Sequence, residues 1–100
     1  MPKIDCYLSS DLNLNHKDIS NHLEQCIKTL DTSAGACKYR AFTATEHQHM
    51  HCSLKVILLK KPHRDDRFME QLAHQIEDAL KPHLPSDCNL SIECDFLSPY

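Results

Sequence analysis

The sequence has a single glycine, Gly35, no tryptophan and no long apolar run. A dinucleotide-binding fingerprint needs three glycines within six residues, and a phosphate-binding loop needs two before its lysine. Both motifs are therefore excluded, and with them the usual nucleotide-dependent classes of enzyme. The G-x-S-x-G elbow of serine hydrolases is excluded for the same reason. The longest strictly apolar run is Val56–Leu59, far short of the about 20 residues that a membrane-spanning helix needs.

Chain length and charge further restrict the class of protein. With 100 residues, 41% of them apolar and a formal net charge of −3, the chain suits one domain, which we place at residues 1–100. It has no basic tail and no aromatic residues interleaved with arginine, so we expect no nucleic-acid partner. The first residues, MPKIDCYLSSD, contain no apolar signal region. This predicts a cytoplasmic protein without a membrane partner.

The six cysteines form no C-x-x-C pair, the spacing that many metal and redox sites use. Without a signal peptide, an even number of cysteines does not indicate a disulfide framework, and we expect reduced thiols. Cys6, Cys26 and Cys94 fall on the apolar faces of the elements predicted below, where a thiol behaves as a small buried hydrophobe. We therefore expect these cysteines in the core or on the surface rather than in a metal or redox site.

Hydrophobic periodicity predicts two helices. Apolar residues recur at helical spacing over 16–31, and Asn15 precedes this segment as a candidate N-cap. A second apolar stripe follows Pro62, which can occupy the first turn of a helix. Its members are Phe68, Leu72, Ile76, Ala79 and Leu80. Pro82 then ends the helix, because proline lacks the N–H that a helix interior needs.

Alternation of apolar and polar residues predicts four strands. They are residues 2–8, 37–45, 49–59 and 89–97. The connection around Glu46–Gln48 is short, so the second and third strands are expected to form a β-hairpin. Each helix has a single apolar stripe, so both helices should pack on one face of the sheet.

The resulting order, β-α-β-β-α-β, predicts an α+β domain with a four-stranded mixed sheet and two helices on one face. The other face must be solvated or covered by a partner. Ile57 and Leu59 lie opposite the main apolar stripe of their strand, and oligomerisation is the simplest way to cover them. The same order also fits the ferredoxin-like fold, so the order of the strands in the sheet stays open at this point.

Pro2 is the first candidate for chemistry. If Met1 is removed, Pro2 carries a free secondary amine at the start of a strand. A free α-amino group titrates at about 8, and desolvation or neighbouring cations lower that pKa. The uncharged amine can then take a proton from carbon. If Met1 is retained, the nitrogen is an amide without basicity, and the proline is simply a common residue after the initiator methionine.

Two groups of cations could bind an anion. Lys38 and Arg40 lie on the second predicted strand, and Lys60, Lys61 and Arg64 follow the third. An arginine fork matches a carboxylate with two N–H donors, whereas lysine supplies a point charge. Beside a neutral amine, such residues would hold an anionic substrate and stabilise the charge that develops on it. The alternative is an ordinary solvated, charged face.

Three histidines, His47, His49 and His51, are spaced by two residues. In a strand this spacing places all three imidazoles on one side and Cys52 on the other. Three imidazoles could hold Zn²⁺ with one open coordination position. No fourth ligand follows at a typical spacing, so the alternative is a polar strand face, and we assign no metal site.

Five segments, in this order along nearly the whole chain, resemble the tautomerase superfamily, and within it the 5-carboxymethyl-2-hydroxymuconate Δ-isomerase family. They are the N-terminal proline strand with Ser9 and Leu12, C-K-Y-R-A at Cys37–Ala41, H-C-S-L-K-V at His51–Val56, the basic stretch Lys60–Arg64 and L-S-I-E-C at Leu90–Cys94. The resemblance rests on the common order of the five segments rather than on any one of them.

The resemblance implies a homotrimer of β-α-β-β-α-β subunits, with sites between subunits and an amino-terminal proline as the base. It implies that Pro2 moves a proton between carbons of an unsaturated dicarboxylate, without cofactor or metal. Lys38 stands in the position of a family arginine, and Arg40 matches the basic residue that follows. Lys60 or Lys61 stands where the family has an arginine after glycine. These four cations would bind the carboxylates of the substrate.

The leading hypothesis is therefore a cofactor-independent keto–enol isomerase that acts on a small unsaturated carboxylate, provided that Met1 is removed. The alternative is a non-catalytic, oligomeric α/β module for binding or structure, which keeps the scaffold without the base. The state of the N-terminus separates the two, because a retained Met1 abolishes the basicity of Pro2.

Overall fold

A computed structural model describes residues 2–97. The elements are β1 (Lys3–Ser9), α1 (His16–Leu30), β2 (Lys38–Ala44), β3 (His51–Leu58), α2 (Asp66–Leu80) and β4 (Asn89–Phe96), with a single 3₁₀ turn at Lys81–His83 after α2. The predicted order, β-α-β-β-α-β, is confirmed. No helix in residues 2–97 has the length and apolar composition that crossing a membrane requires.

The sheet has the strand order β2-β1-β3-β4. β1 runs parallel to β2 and antiparallel to β3, and β4 runs parallel to β3, so the sheet is mixed as predicted. The first β-α-β unit is intact, since β1 and β2 pair directly. The ferredoxin-like alternative is wrong for this reason, because its β-α-β unit is split by another strand.

The predicted hairpin between the second and third strands is also wrong. β1 lies between β2 and β3, and both pair with it. Residues 45–50, which connect β2 to β3, have no strand structure and pass the end of β1. Two strand spacings amount to about 10 Å, a distance that such a connection spans easily.

The core lies between one face of the sheet and the two helices. In β1, Ile4, Cys6 and Leu8 point into it, and the register sets them opposite Val56, Leu54 and Cys52 of β3. The helices contribute the buried residues Ile19, Leu23, Ile27, Leu72, Ile76, Ala79 and Leu80. Full burial of one such leucine or isoleucine side chain contributes about 1.5–3 kcal/mol, so these alternating positions determine which face of each strand turns inward.

Both helices begin at capped residues. Asn15 Oδ1 accepts a hydrogen bond from the Asp18 N–H at 3.2 Å, as predicted for α1. In α2 the cap is Asp65, whose Oδ1 accepts from the Phe68 N–H at 2.8 Å. The prediction that Pro62 occupies the first turn of this helix is wrong, since Pro62 lies in a separate turn before the cap.

The second face of the sheet carries mostly polar and charged side chains. The register places Arg40, Asp5, Lys55 and Glu93 in one row across the four strands, so that positive and negative charges alternate. In the next row the rings of Tyr7 and Phe42 stack with their centroids 5.1 Å apart. Even so, Tyr7 is 43% exposed and Phe42 is 40% exposed. We call this surface the open face.

Candidate active site

Pro2 lies at one end of the sheet, where β1 and β2 begin and β3 ends. It is buried, and its carbonyl accepts a hydrogen bond from the Lys38 N–H at 2.8 Å. The start of β2 is held from α1 as well, because the Cys37 N–H donates to Glu24 Oε2 at 2.7 Å. The start of β2 is therefore held by both Pro2 and α1, and the Lys38 main chain lies next to Pro2.

Lys60 and Lys61 follow the end of β3 in the segment 59–65, which we call the cation loop. The Lys60 ammonium lies 5.1 Å from the centre of the Phe96 ring at the end of β4. An ammonium over an aromatic face is attracted by the ring quadrupole, which gives Lys60 a preferred position without a hydrogen-bond acceptor.

The Lys61 ammonium has oxygen partners instead. Its Nζ donates to the carbonyl and to Oγ of Ser33, in the loop after α1, at 3.3 Å each. An open hollow of about 490 Å³ adjoins this segment. Its lining residues are Lys60, Lys61, Pro62, Arg64, Asp65 and Asp66. The two lysines thus border a space that could admit a small anion, although Pro2 and Lys38 do not line it.

Arg40 lies on the open face, two residues along β2 from Lys38. Its guanidinium makes a two-point contact with Asp5, Nε to Oδ1 at 2.9 Å and Nη2 to Oδ2 at 3.0 Å. The hydrogen bond from Arg40 holds the pKa of Asp5 below its ordinary value. Within one chain the fork of Arg40 is already filled by a carboxylate, so an incoming carboxylate would compete with Asp5.

A buried ionic cluster beside the cation loop was not anticipated from the sequence. Asp31, the residue that follows α1, accepts from Arg64 Nε at 2.8 Å and from His63 Nε2 at 3.0 Å. Its other oxygen accepts from the N–H and the hydroxyl of Ser33, at 2.9 and 2.6 Å. Arg64 Nη1 also donates to the Leu59 carbonyl at 2.8 Å, which ties the cation loop to the end of β3.

The charge state of Asp31 follows from these contacts. Burial raises its pKa, but the hydrogen bonds from Ser33, His63 and Arg64 outweigh that effect and hold the pKa well below its ordinary value. A sequence signal for this residue existed. Asp31 is four residues after Ile27 and continues the buried stripe of α1, so helical periodicity alone places it toward the core.

The three closely spaced histidines do not share a strand face. Only His51 belongs to β3, and His49 has a φ of 64°, in the left-handed region, so the alternation stops before it reaches His47. The Nδ1 atoms of His47 and His51 both contact the His49 carbonyl, at 3.3 and 3.1 Å. In residues 2–97 no three His, Cys, Asp or Glu side chains lie together in a way that could hold a metal ion.

The strand order, the strand directions and the two helices on one face define a tautomerase-like fold. Among solved structures, it matches a 5-carboxymethyl-2-hydroxymuconate isomerase from Deinococcus radiodurans R1 with a TM-score of 0.82 and 13% identity, over 97% of this chain and 83% of that one. A 5-carboxymethyl-2-hydroxymuconate delta-isomerase matches with a TM-score of 0.78 and 16% identity, over 100% and 85% of the chains. A fused 4-OT wild-type symmetric trimer matches with a TM-score of 0.65 and 9% identity, over 97% and 88%.

The sequence itself matches no protein-family model and no curated protein. At 9–16% identity these structures establish the fold of the chain. Its chemistry has to be argued from its own residues, because a fold does not determine an activity.

Proposed function

We propose that the protein is a cofactor-independent keto–enol isomerase, a tautomerase, with Pro2 as the general base. Its substrate would be a small unsaturated carboxylate similar to 5-carboxymethyl-2-hydroxymuconate. The observation that carries this proposal is the place of Pro2, buried at the end of the sheet and hydrogen-bonded to the Lys38 main chain. The likeness of the fold to structures of isomerases supports it.

The chemistry needs a neutral amine, so it begins with the removal of Met1. Because Pro2 is buried, desolvation would disfavour the charged form of its free amine and would lower the pKa from the usual value of about 8. With an enol acid, the amine takes the proton of the enol hydroxyl and leaves an enolate. It then returns the proton to a carbon of the same molecule. Because the amine is neutral again once the proton has been returned, the cycle balances without a cofactor.

The cations would stabilise the negative charge that develops on the substrate. The Lys38 main chain lies beside Pro2, and its ammonium would meet the substrate there. Lys60 and Lys61 would bind a carboxylate from the cation loop. For Arg40 we propose a conditional role, in which a substrate carboxylate replaces Asp5 in its guanidinium fork. Since lysine offers a point charge rather than a fork, we expect tolerance of several carboxylate geometries.

We also propose that the active unit is a homotrimer, with sites completed between subunits. The helices leave the open face uncovered, and Tyr7 and Phe42 are exposed there. A partner subunit would cover this surface, and one solved structure with the same fold is a symmetric trimer.

Three forms of the protein test the role of Pro2: the Met1-free chain, the same chain with Met1 retained, and Met1-free Pro2→Ala. Intact mass establishes the N-terminus of each. The assay follows the ultraviolet absorbance of a small enol acid, such as a hydroxymuconate or phenylenolpyruvate. We expect isomerisation by the Met1-free chain alone, with a kcat/KM that rises as the amine loses its proton.

Equal rates for the Met1-free chain and Pro2→Ala would rule out the proline mechanism. No rate above background in any form, from a folded protein, would favour the non-catalytic module instead. Lys38→Ala serves as the companion variant, and we expect it to raise KM for the acid, because it removes a cation that we propose binds the substrate.

A further inference from the structure

The Lys61 ammonium is held in place by a chain of hydrogen bonds that begins at Asp31. An ammonium has three N–H donors, and two of them point at the carbonyl and hydroxyl of Ser33, at 3.3 Å each. The third is available to another acceptor. Lys60 differs, because an aromatic ring at 5.1 Å is its neighbour rather than a directional oxygen acceptor.

Asp31 in turn orients Ser33. The Ser33 hydroxyl donates its only proton to Asp31 Oδ1 at 2.6 Å, and the Ser33 N–H donates to the same oxygen at 2.9 Å. A hydroxyl that gives its proton to a carboxylate turns its lone pairs away from that carboxylate. In this structure those lone pairs face the donor on Lys61.

The same carboxylate group also anchors the cation loop beyond Lys61. Asp31 Oδ2 accepts from Arg64 Nε at 2.8 Å, and both side chains are almost fully buried. Arg64 Nη1 also donates to the carbonyl of Leu59, the first residue of the cation loop. The two ends of the segment that carries Lys61 are thus joined through one arginine to one buried aspartate.

We infer that Asp31 and Ser33 are positioning residues for anion binding by Lys61, an inference that rests on the proposed function and extends it. They hold the lysine with one N–H free, so that a substrate carboxylate meets an ammonium that has already lost much of its rotamer freedom. Immobilising a free lysine on binding reduces affinity, and a lysine that is already ordered avoids most of that loss. The ligand class is a small mono- or dicarboxylate.

The test measures binding rather than turnover. Succinate, an unreactive dicarboxylate, is titrated into the Met1-free protein by isothermal calorimetry at low ionic strength. The variants are Ser33→Ala, Lys61→Ala and their combination, with Thr32→Ala as the matched loss of a hydroxyl at the neighbouring exposed residue. Ser33 is preferred to Asp31 as the variant, because it is exposed and its loss leaves the buried Arg64 paired.

We expect Ser33→Ala to weaken succinate binding by about threefold to tenfold and Thr32→Ala to leave it unchanged. In the Lys61→Ala background, Ser33→Ala should have no further effect, since a residue that acts through Lys61 has nothing left to position. A loss of the same size in both backgrounds would overturn the inference. So would the absence of saturable succinate binding by the wild type.

Isomerase assays with the same proteins separate this inference from the proposed function. Where activity is present, Ser33→Ala should raise KM for the acid with little change in kcat, and should spare the methyl ester of the same substrate. A Met1-free protein that binds succinate through Lys61 and isomerises no enol acid would refute the proposed function and leave the positioning role standing.

Discussion

Arg64 and Asp31 form a salt bridge of 2.8 Å in which the two side chains are only 3% and 4% exposed. Arg40 and Asp5 form a similar contact at 2.9 Å, but the Arg40 side chain is 45% exposed. The chain thus contains the same chemical pair in two environments. Removing Arg64 leaves an uncompensated charge in the core. Arg40 is solvated by water, and Asp5, although its side chain is only 9% exposed, keeps the attraction of Lys3 and Lys38 when Arg40 is removed.

Arg64→Met should therefore destabilise the fold by about 3–5 kcal/mol, the range found when one member of a buried ion pair is removed. Arg40→Met is the matched control, and its effect should be much smaller. Urea unfolding followed by circular dichroism measures both. Losses of similar size in the two variants would contradict the distinction between the buried and the exposed pair.

Stability should fall in acid because of Asp31. Its folded-state pKa is lowered, so its contribution is complete above the unfolded pKa of about 3.9 and is lost as pH falls toward the folded value. Urea midpoints at pH 5, 4 and 3 should decrease steadily for the wild type. Asp31→Asn should be less stable at pH 5 and flatter below it, with the remaining slope due in part to Asp5, whose pKa is also lowered.

Asp87→Asn is the control for this titration, because Asp87 is an exposed residue outside the ionic cluster. It should keep the full acid slope of the wild type. An Asp31→Asn variant with that same slope would show that other carboxylates cause the acid sensitivity.

The cysteines should react slowly with thiol reagents in the folded protein. All six are free, and Cys6 and Cys52 are fully buried with their sulfur atoms 3.6 Å apart. Burial raises the pKa of Cys37 and of Cys94 to about 11, so few of these thiols are ionised at pH 8. Labelling with Ellman's reagent should be at least about tenfold slower in buffer than in urea, where all six react. Rapid labelling of Cys37 or Cys94 in the native state would contradict this prediction.

The local spacing of apolar residues was sufficient to predict the helices and strands of this fold. The alternation through Ile4, Cys6 and Leu8 and the stripe through Ile19, Leu23 and Ile27 depend on residues close in the chain, and the structure buries these positions. The pairing of strands depends on distant residues instead. A short connection suggested that β2 and β3 were neighbours, but the core places β1 between them.

The candidate site also has one part that local pattern predicts and another that depends on distant residues. The positions of Pro2 and Lys38 follow from strand starts that the alternation predicts. The contacts of Arg40 and Lys61 could not be predicted, since each depends on a residue from a different element, Asp5 for one and Ser33 for the other. The prediction that the three histidines share a strand face was wrong because His49 has a left-handed backbone conformation. That conformation ends the strand, although the histidines keep their two-residue spacing in the sequence.

Assembly provides the last prediction. If the open face is covered by identical subunits, light scattering should give three times 11.5 kDa, about 34.5 kDa, at micromolar concentration. Phe42→Asp should shift the mass toward that of the monomer, because it places a carboxylate beside Tyr7 on a surface that a partner would desolvate. Gln71→Asp, on an exposed position of α2, adds the same charge on the helical side and should leave the mass unchanged. A wild-type mass near 11.5 kDa would contradict the trimer and any site shared between subunits, and would confine the proposed chemistry to the groups that one chain gathers around Pro2.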